Sequence, residues 1–323
     1  MSTLITTTVS TEALSISSQN KALKTTEEVA LQIFLLCQVG LGTVANILLF
    51  VHNFSPILTG SGRRPTQVVL THVAVANALI LLLTAFPNNM VLFTRRPRND
   101  FSCKYEYYAR VVARSSNLCS TSVLSTYQFV TLVPGNWGRV MLRRRTPEVL
   151  SYSCYSCWFF SILNNIYIPM KLAGPQSTRN DTDSNRKWVC TTSGLGVEVT
   201  FLRFAHDAVF IGIMVSTSVS MVILLHRHRQ RLRHIHTFSD DQRAPPETRA
   251  AHTILMLVVM FVNFYVLDCI CTFFHTSYIT SRLWLSRINE ILTAGFPTLS
   301  PLLLIYRHSK NPCSVIFPCC KPH

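Results

Sequence analysis

The chain has 323 residues and a formal net charge of +15, yet only 14% of its residues are charged while 48% are hydrophobic. A soluble domain carries about 25% charged residues, so this composition argues against a soluble globular domain. The 11 cysteines are too scattered for a small disulfide scaffold, and no paired CxxC motifs show zinc spacing.

Residues 1–28, MSTLITTTVSTEALSISSQNKALKTTEE, are rich in Ser and Thr and lack a basic region followed by an apolar one. They read as an N-terminal tail without a cleaved signal peptide, leaving the first apolar segment as the insertion signal. A bilayer crossing needs about 20 apolar residues. The strongest candidates are 29–51, 67–93, 149–170, 199–225 and 253–275. A sixth, 285–306, is mostly apolar but interrupted by Glu290, Pro297 and Pro301. The segment 107–133 is diluted by Ser115, Ser116, Asn117, Ser120, Thr121, Ser122, Ser125 and Thr126. Small and hydroxyl residues suit a helix inside a bundle, where they allow close approach and interhelical hydrogen bonds. Counting it gives seven spans in one domain, 29–306, with a tail at 307–323. The fold class is an all-α membrane protein, a seven-transmembrane-helix bundle.

An outside N-terminus puts Arg63, Arg64, Arg139, Arg143, Arg144 and Arg145 on the cytoplasmic side, together with the dense run HRHRQRLRHIH at 226–236. The resulting excess of inside Lys and Arg is modest. Asn180-Asp181-Thr182 in the loop 171–198 is a glycosylation acceptor, which requires the lumenal side. Cys103, just before the third span, and Cys190, in that loop, then share the oxidising face and are expected to bridge, against the reading of two free thiols. A second sequon, Asn53-Phe54-Ser55, abuts the inner end of the first span and is expected to stay unused. Cys154 and Cys157 form a CxxC inside SYSCYSCWFF and read as core-type helix cysteines.

The run at 226–236 admits three readings: a nucleic-acid patch, a His-rich metal site, or a loop between membrane helices. Tethering between two spans and a lack of stacking aromatics disfavour nucleic acid. Alternating Arg repels a metal cation, and no carboxylate or Cys accompanies the histidines. A helical extension of the fifth span remains, with Arg227, Arg229, Arg231 and Arg233 facing anionic headgroups and an acidic G-protein surface.

Four stretches, in order, resemble the vomeronasal type-1 receptors, a family of G-protein-coupled pheromone receptors. They are LTHVAVAN (70–77), APPETRAAHTIL (244–255), FVNFYVL (261–267) and FPTLSP (296–301). The resemblance runs from about residue 29 to Ser309. Against the wider rhodopsin-like class, Asn77 stands where a sodium-binding Asp is usual, and Tyr127-Gln128-Phe129 where Asp-Arg-Tyr is expected. Ser300-Pro301 with Tyr306 replaces Asn-Pro-x-x-Tyr, and no Cys-Trp-x-Pro signature surrounds Tyr265–Asp268. These absences fit the bitter-taste receptors as well. The resemblance implies a small-molecule chemosignal as ligand, a Gi/o-type heterotrimeric G protein as partner, and a plasma-membrane setting in a sensory neuron. No cofactor and no metal are implied, and no nucleic acid is expected as partner.

Intramembrane charges mark the candidate ligand site, since an ionisable group near mid-bilayer costs at least about 2.5 kcal/mol. Arg110 and Arg114 share one face of the third span at i, i+4 spacing. Arg203, His206 and Asp207 lie in the outer third of the fifth span. Asp268 lies roughly 12 Å from the outer end of the sixth, and Glu290 has a similar depth in the seventh. The competing reading makes them interhelical ion pairs or snorkelling arginines, an even choice for Arg110 and Arg203. Short acids cannot snorkel, which favours a pocket role for Asp207, Asp268 and Glu290. The expectation is an apolar cavity with a few polar anchors. Asn46, Asn77 and Ser300 read as a polar packing cluster, and His72 as a packing group.

In the tail, Cys313, Cys319 and Cys320 sit beside basic residues and are palmitoylation candidates, with free thiols the alternative. There is no Walker A loop, GxGxxG, HExxH or GxSxG, so an enzyme is not expected. A transporter or channel stays open as a rival class, although no matching half repeats the broken seventh span.

Overall fold

The computed structural model describes residues 2–59, 65–93, 100–133, 136–171, 197–235, 246–277 and 283–308, with side chains at most of these positions. All the regular structure among them is helical: α1 (Ser2–Thr59), α2 (Pro65–Phe93), α3 (Asp100–Leu132), α4 (Asn136–Asn164), α5 (Ile168–Lys171), α6 (Val197–Ile235), α7 (Pro246–Ser277) and α8 (Leu283–His308). Seven of these are long and α5 is a single turn, so the last three expected spans are α6, α7 and α8. Among the described residues, α1, α2, α6, α7 and α8 hold stretches long and apolar enough to cross a membrane. α3 falls short, as its hydroxyl residues foretold. α4 falls short too, against the expectation that ranked 149–170 with the strongest spans, because Ser, Tyr and Asn interrupt SYSCYSCWFFSILNN.

The helix bounds differ from the apolar segments for identifiable reasons. α4 starts at Asn136 and ends at Asn164, instead of running from 149 to 170. Pro169 lacks the N–H that would bond the Asn165 carbonyl, so that carbonyl accepts from Ile168 N at 3.0 Å and the chain turns into α5. The Asn165 side chain closes the end of α4 by donating to the Ser161 carbonyl at 2.7 Å. α6 continues through Ile235, so the Arg/His run up to that residue is helical, as expected for an extension of the fifth span.

α3 is the hub, packing against α2, α4, α5, α6 and α7. Val111, Ala113, Ser115, Ser116, Asn117, Leu118, Ser120, Thr121, Leu124 and Ser125 are all buried there. The residues that weakened its hydropathy are therefore the ones that let five elements approach it. The main core joins Val73, Leu118, Leu124, Met214, Leu257, Phe261, Phe296 and Leu304, with a smaller cluster of Leu35, Val39, Leu81, Ala85 and Ala294 between α1, α2 and α8. The outer surface is apolar as well: Ile33, Leu48, Phe159, Leu163, Val209, Val219, Val259 and Val266 are exposed on four helices. Such a continuous apolar exterior suits lipid and not water.

α8 carries Pro297 and Pro301 within one helix. Pro301 has no N–H for the Pro297 carbonyl four residues earlier. Asn46 Nδ2 of α1 supplies the missing donor at 2.8 Å, while also bonding the Gly42 carbonyl at 2.8 Å. Next to it, Asn117 Nδ2 donates to Asn77 Oδ1 and Asn77 Nδ2 to Ser300 Oγ, each at 3.0 Å. Of the expected cluster, Asn77 and Ser300 are bonded to each other and joined by Asn117, while Asn46 bonds backbone carbonyls of α1 and α8 instead. His72 packs edge-on against Tyr155 at 5.1 Å between ring centroids, as a packing group should.

Cys119 of α3 and Cys157 of α4 form a disulfide inside the bundle, with Cα atoms 5.7 Å apart, while Cys154 stays a buried free thiol. The reading of Cys157 as a plain core cysteine is corrected, because helix packing brings a second sulfur to it from 38 residues away. The Cys103 side chain and Cys190 lie outside the described residues. Closing that 38-residue loop is worth about 4 kcal/mol on a chain-entropy model. Alkylation of the unfolded, unreduced protein should label Cys154 but spare Cys119 and Cys157, as peptide mass spectrometry would read.

Candidate ligand site

Four of the seven candidate residues converge where α3, α6, α7 and α8 meet. Arg114 Nη1 of α3 donates to Asp268 Oδ2 of α7 at 2.6 Å, and both side chains are largely buried. Asp268 Oδ1 accepts from Thr293 Oγ1 of α8 at 2.8 Å. The Arg114 guanidinium also lies 5.2 Å from the Tyr265 ring centroid, a cation–π contact. Tyr265 donates its hydroxyl to Asp207 Oδ2 of α6 at 3.0 Å, and Asp207 Oδ1 lies 3.2 Å from His206 Nδ1. One polar chain thus runs Thr293, Asp268, Arg114, Tyr265, Asp207, His206 and ties four helices together. Both acids are paired, as a buried charge must be.

Aromatic rings frame this chain on two sides. His206 stacks on Phe160 of α4 at 5.7 Å and meets Phe210 edge-on at 5.0 Å. Phe261 meets Phe296 edge-on at 4.7 Å and lies parallel to Tyr265 at 6.3 Å. A cleft opens between α3, α7 and α8, lined by Phe261, Phe264, Phe296, Leu292 and Tyr265, with Asp268 and Asn117 as polar anchors. A smaller one lies between α3, α4 and α6 and is mostly polar. Arg114 lines both.

The remaining candidates are placed differently. Arg110 turns to α2, donating to the Leu83 carbonyl at 2.6 Å, and pairs with Glu106 one turn back at 3.2 Å. It is bonded within the bundle instead of reaching for headgroups. Glu290 pairs with Arg287 on its own helix at 3.0 Å. The Arg203 side chain lies outside the described residues, as do those of Arg139, Arg143, Arg144, Arg145, Arg229, Arg231 and Arg233. Arg227 is exposed near the end of α6. Asn180, Cys313, Cys319 and Cys320 also lie outside the described residues.

Sequence reasoning did not single out Tyr265, Thr293, Ser115 or Asn165 for the site. A Tyr or Thr near mid-membrane carries no charge to flag it. The only signal was position, since Tyr265 falls inside the FVNFYVL stretch and three residues before Asp268.

Comparison with known proteins matches residues 29–313 to the vomeronasal organ pheromone receptor family. The chain is 31% identical over 276 residues to vomeronasal type-1 receptor 4 of Homo sapiens, covering 84% of this chain and 92% of that one. It is 29% identical over 274 residues to vomeronasal type-1 receptor 1 of Gorilla gorilla gorilla, covering 84% and 78%. It is also 28% identical over 289 residues to olfactory receptor class A-like protein 1 of Danio rerio, covering 85% and 88%.

Proposed function

This chain belongs to the vomeronasal organ pheromone receptor family, and we propose that it binds a small-molecule chemosignal at the outer end of the bundle and activates a Gi/o-type heterotrimeric G protein. The family is one of receptors, not enzymes, and the chain is a membrane protein. The reading places it in the plasma membrane with its N-terminus outside, Cys103 and Cys190 bridged, and Asn180 glycosylated. The observation that carries it is the family match over the whole helical domain. Support comes from the cleft beside Arg114 and Asp268, whose mostly apolar lining with a few polar anchors suits a small molecule. The candidate residues Arg110, Arg203 and Glu290 stand at its periphery in this reading, while Arg114 and Asp268 belong to its polar wall and His206 and Asp207 line the smaller cleft that Arg114 also borders.

Binding has to favour one of two bundle arrangements to signal, and the polar chain across α3, α6, α7 and α8 is the element whose geometry both would sense. The usual ionic-lock account does not transfer, because Tyr127-Gln128-Phe129 supplies no Arg at the inner end of α3. The receptor's basic inner ends, with Arg139, Arg143, Arg144, Arg145, Arg227, Arg229, Arg231 and Arg233, would meet the G protein. Cys313, Cys319 and Cys320 are its acylation candidates.

Reconstituted receptor with a purified Gi/o heterotrimer should accelerate nucleotide exchange when a chemosignal panel is applied, without moving solute across the vesicle. Solute flux without exchange would place the chain with transporters instead.

A further inference from the structure

The smaller cleft between α3, α4 and α6 holds polar atoms that the helix packing leaves unsatisfied. α4 and α6 do not approach each other closely along their backbones, and Phe160 stacked on His206 bridges the gap. Ser115, Asn164, Asn165, His206 and Asp207 are among the residues that line the cleft. Ser115 is 5% exposed, and its Oγ has no hydrogen-bond partner among the described residues; nor has His206 Nε2. Buried polar atoms almost always find a partner. Two such atoms on residues that line one cleft leave it open to a polar guest.

The chemistry of that group follows from its neighbours. Asp207 carboxylate oxygens only accept, so His206 Nδ1 carries the proton at the 3.2 Å contact, and in that tautomer Nε2 is a bare acceptor. Ser115 Oγ both donates and accepts. Ionic groups are poor guests, because an anion would face Asp207 and a cation would face Arg114. A hydroxyl is uncharged, donates to Nε2 and accepts from Ser115. We propose that this cleft is a hydroxyl subsite, so that the receptor's ligands are uncharged apolar molecules bearing an alcohol. The proposal rests on the receptor reading for its biological meaning but not for its test.

The test uses the full-length protein in lipid nanodiscs and three rigid probes: decahydro-2-naphthol, its O-methyl ether and the parent decalin. Thermal unfolding is read by thiol labelling of buried Cys154, because anything that binds only the folded state raises the melting temperature. The alcohol should stabilise at about 5-fold lower concentration than the ether or the hydrocarbon, the value of one neutral hydrogen bond. His206→Phe keeps the ring stacking and removes the acceptor, and Ser115→Ala removes the hydroxyl more gently. Either should erase the alcohol's advantage, and Ser115→Ala serves if His206→Phe does not fold. Equal shifts from alcohol and ether, no shift from any probe, or an advantage that survives both variants would overturn the subsite. Alcohol-selective stabilisation without nucleotide exchange on any G protein would instead leave the subsite standing and sink the receptor reading.

Discussion

Asp268→Ala should be the most damaging single substitution among the candidate site residues. It strands the buried Arg114 guanidinium, which loses its 2.6 Å partner and has Tyr265 as its remaining close contact among those described above. Removing one member of a buried pair costs about 3–5 kcal/mol, enough to abolish surface delivery of a marginally stable protein. Replacing both partners with apolar residues of similar size, Arg114→Met with Asp268→Leu, should recover most of that stability, because the desolvation cost disappears along with the attraction. The recovered protein should still fail to respond to ligand if the pair also orients it. Thermal unfolding of the purified variants checks the first outcome, and nucleotide exchange the second. Glu290→Ala should differ sharply. Its partner Arg287 lies one turn away in a partly exposed position, and such a pair is worth less than about 1 kcal/mol. If Asp268→Ala proved as mild as Glu290→Ala, the polar chain would not be holding α3 to α7.

A second large effect is expected at Gly42, far from any charge. A Cβ there would lie 2.7 Å from Thr298 Oγ1, 2.8 Å from Leu81 Cδ1 and 3.0 Å from Thr298 Cα. The Cα cannot move without shifting α8, so even Gly42→Ala must push two helices apart. Overpacking of this kind costs about 1–3 kcal/mol, although an exposed helical Gly→Ala change normally gains about 1. Gly40, which has nothing within 4 Å of its added Cβ, is the internal control. Gly40→Ala should be neutral or stabilising in the same melting assay, and Gly42→Ala clearly destabilising.

These two sites differ in how far they could be read from residues alone. Asp268 and Arg114 announce themselves, since a charge in an apolar run has to be explained. The sequence also told that α3 belonged in the middle, because Ser115 to Thr126 make no sense facing lipid. It could not say which charges would meet. Arg110 and Arg114 share one face, yet Arg110 finds the Leu83 carbonyl and Arg114 finds Asp268, a choice set by how α2 and α7 cross α3. Gly42 looked like any membrane glycine, for closeness between α1 and α8 leaves no mark in a single chain. The Cys119–Cys157 bridge escaped for the same reason, as it joins two helices whose register was unknown.

The donation from Asn46 to the Pro297 carbonyl also bears on how this receptor is made. The last helix is imperfect by itself, and the residue that completes it was synthesised some 250 positions earlier. Until α8 arrives, the Asn46 amide has only its own helix to bond. Until α1 is beside it, α8 carries an open carbonyl in hydrocarbon, a cost of several kcal/mol. The two ends of the chain therefore mature together, and a receptor lacking either one presents the bilayer with an unmet polar group. A first helix supplied as a separate polypeptide should rescue a truncated receptor only if it retains that asparagine.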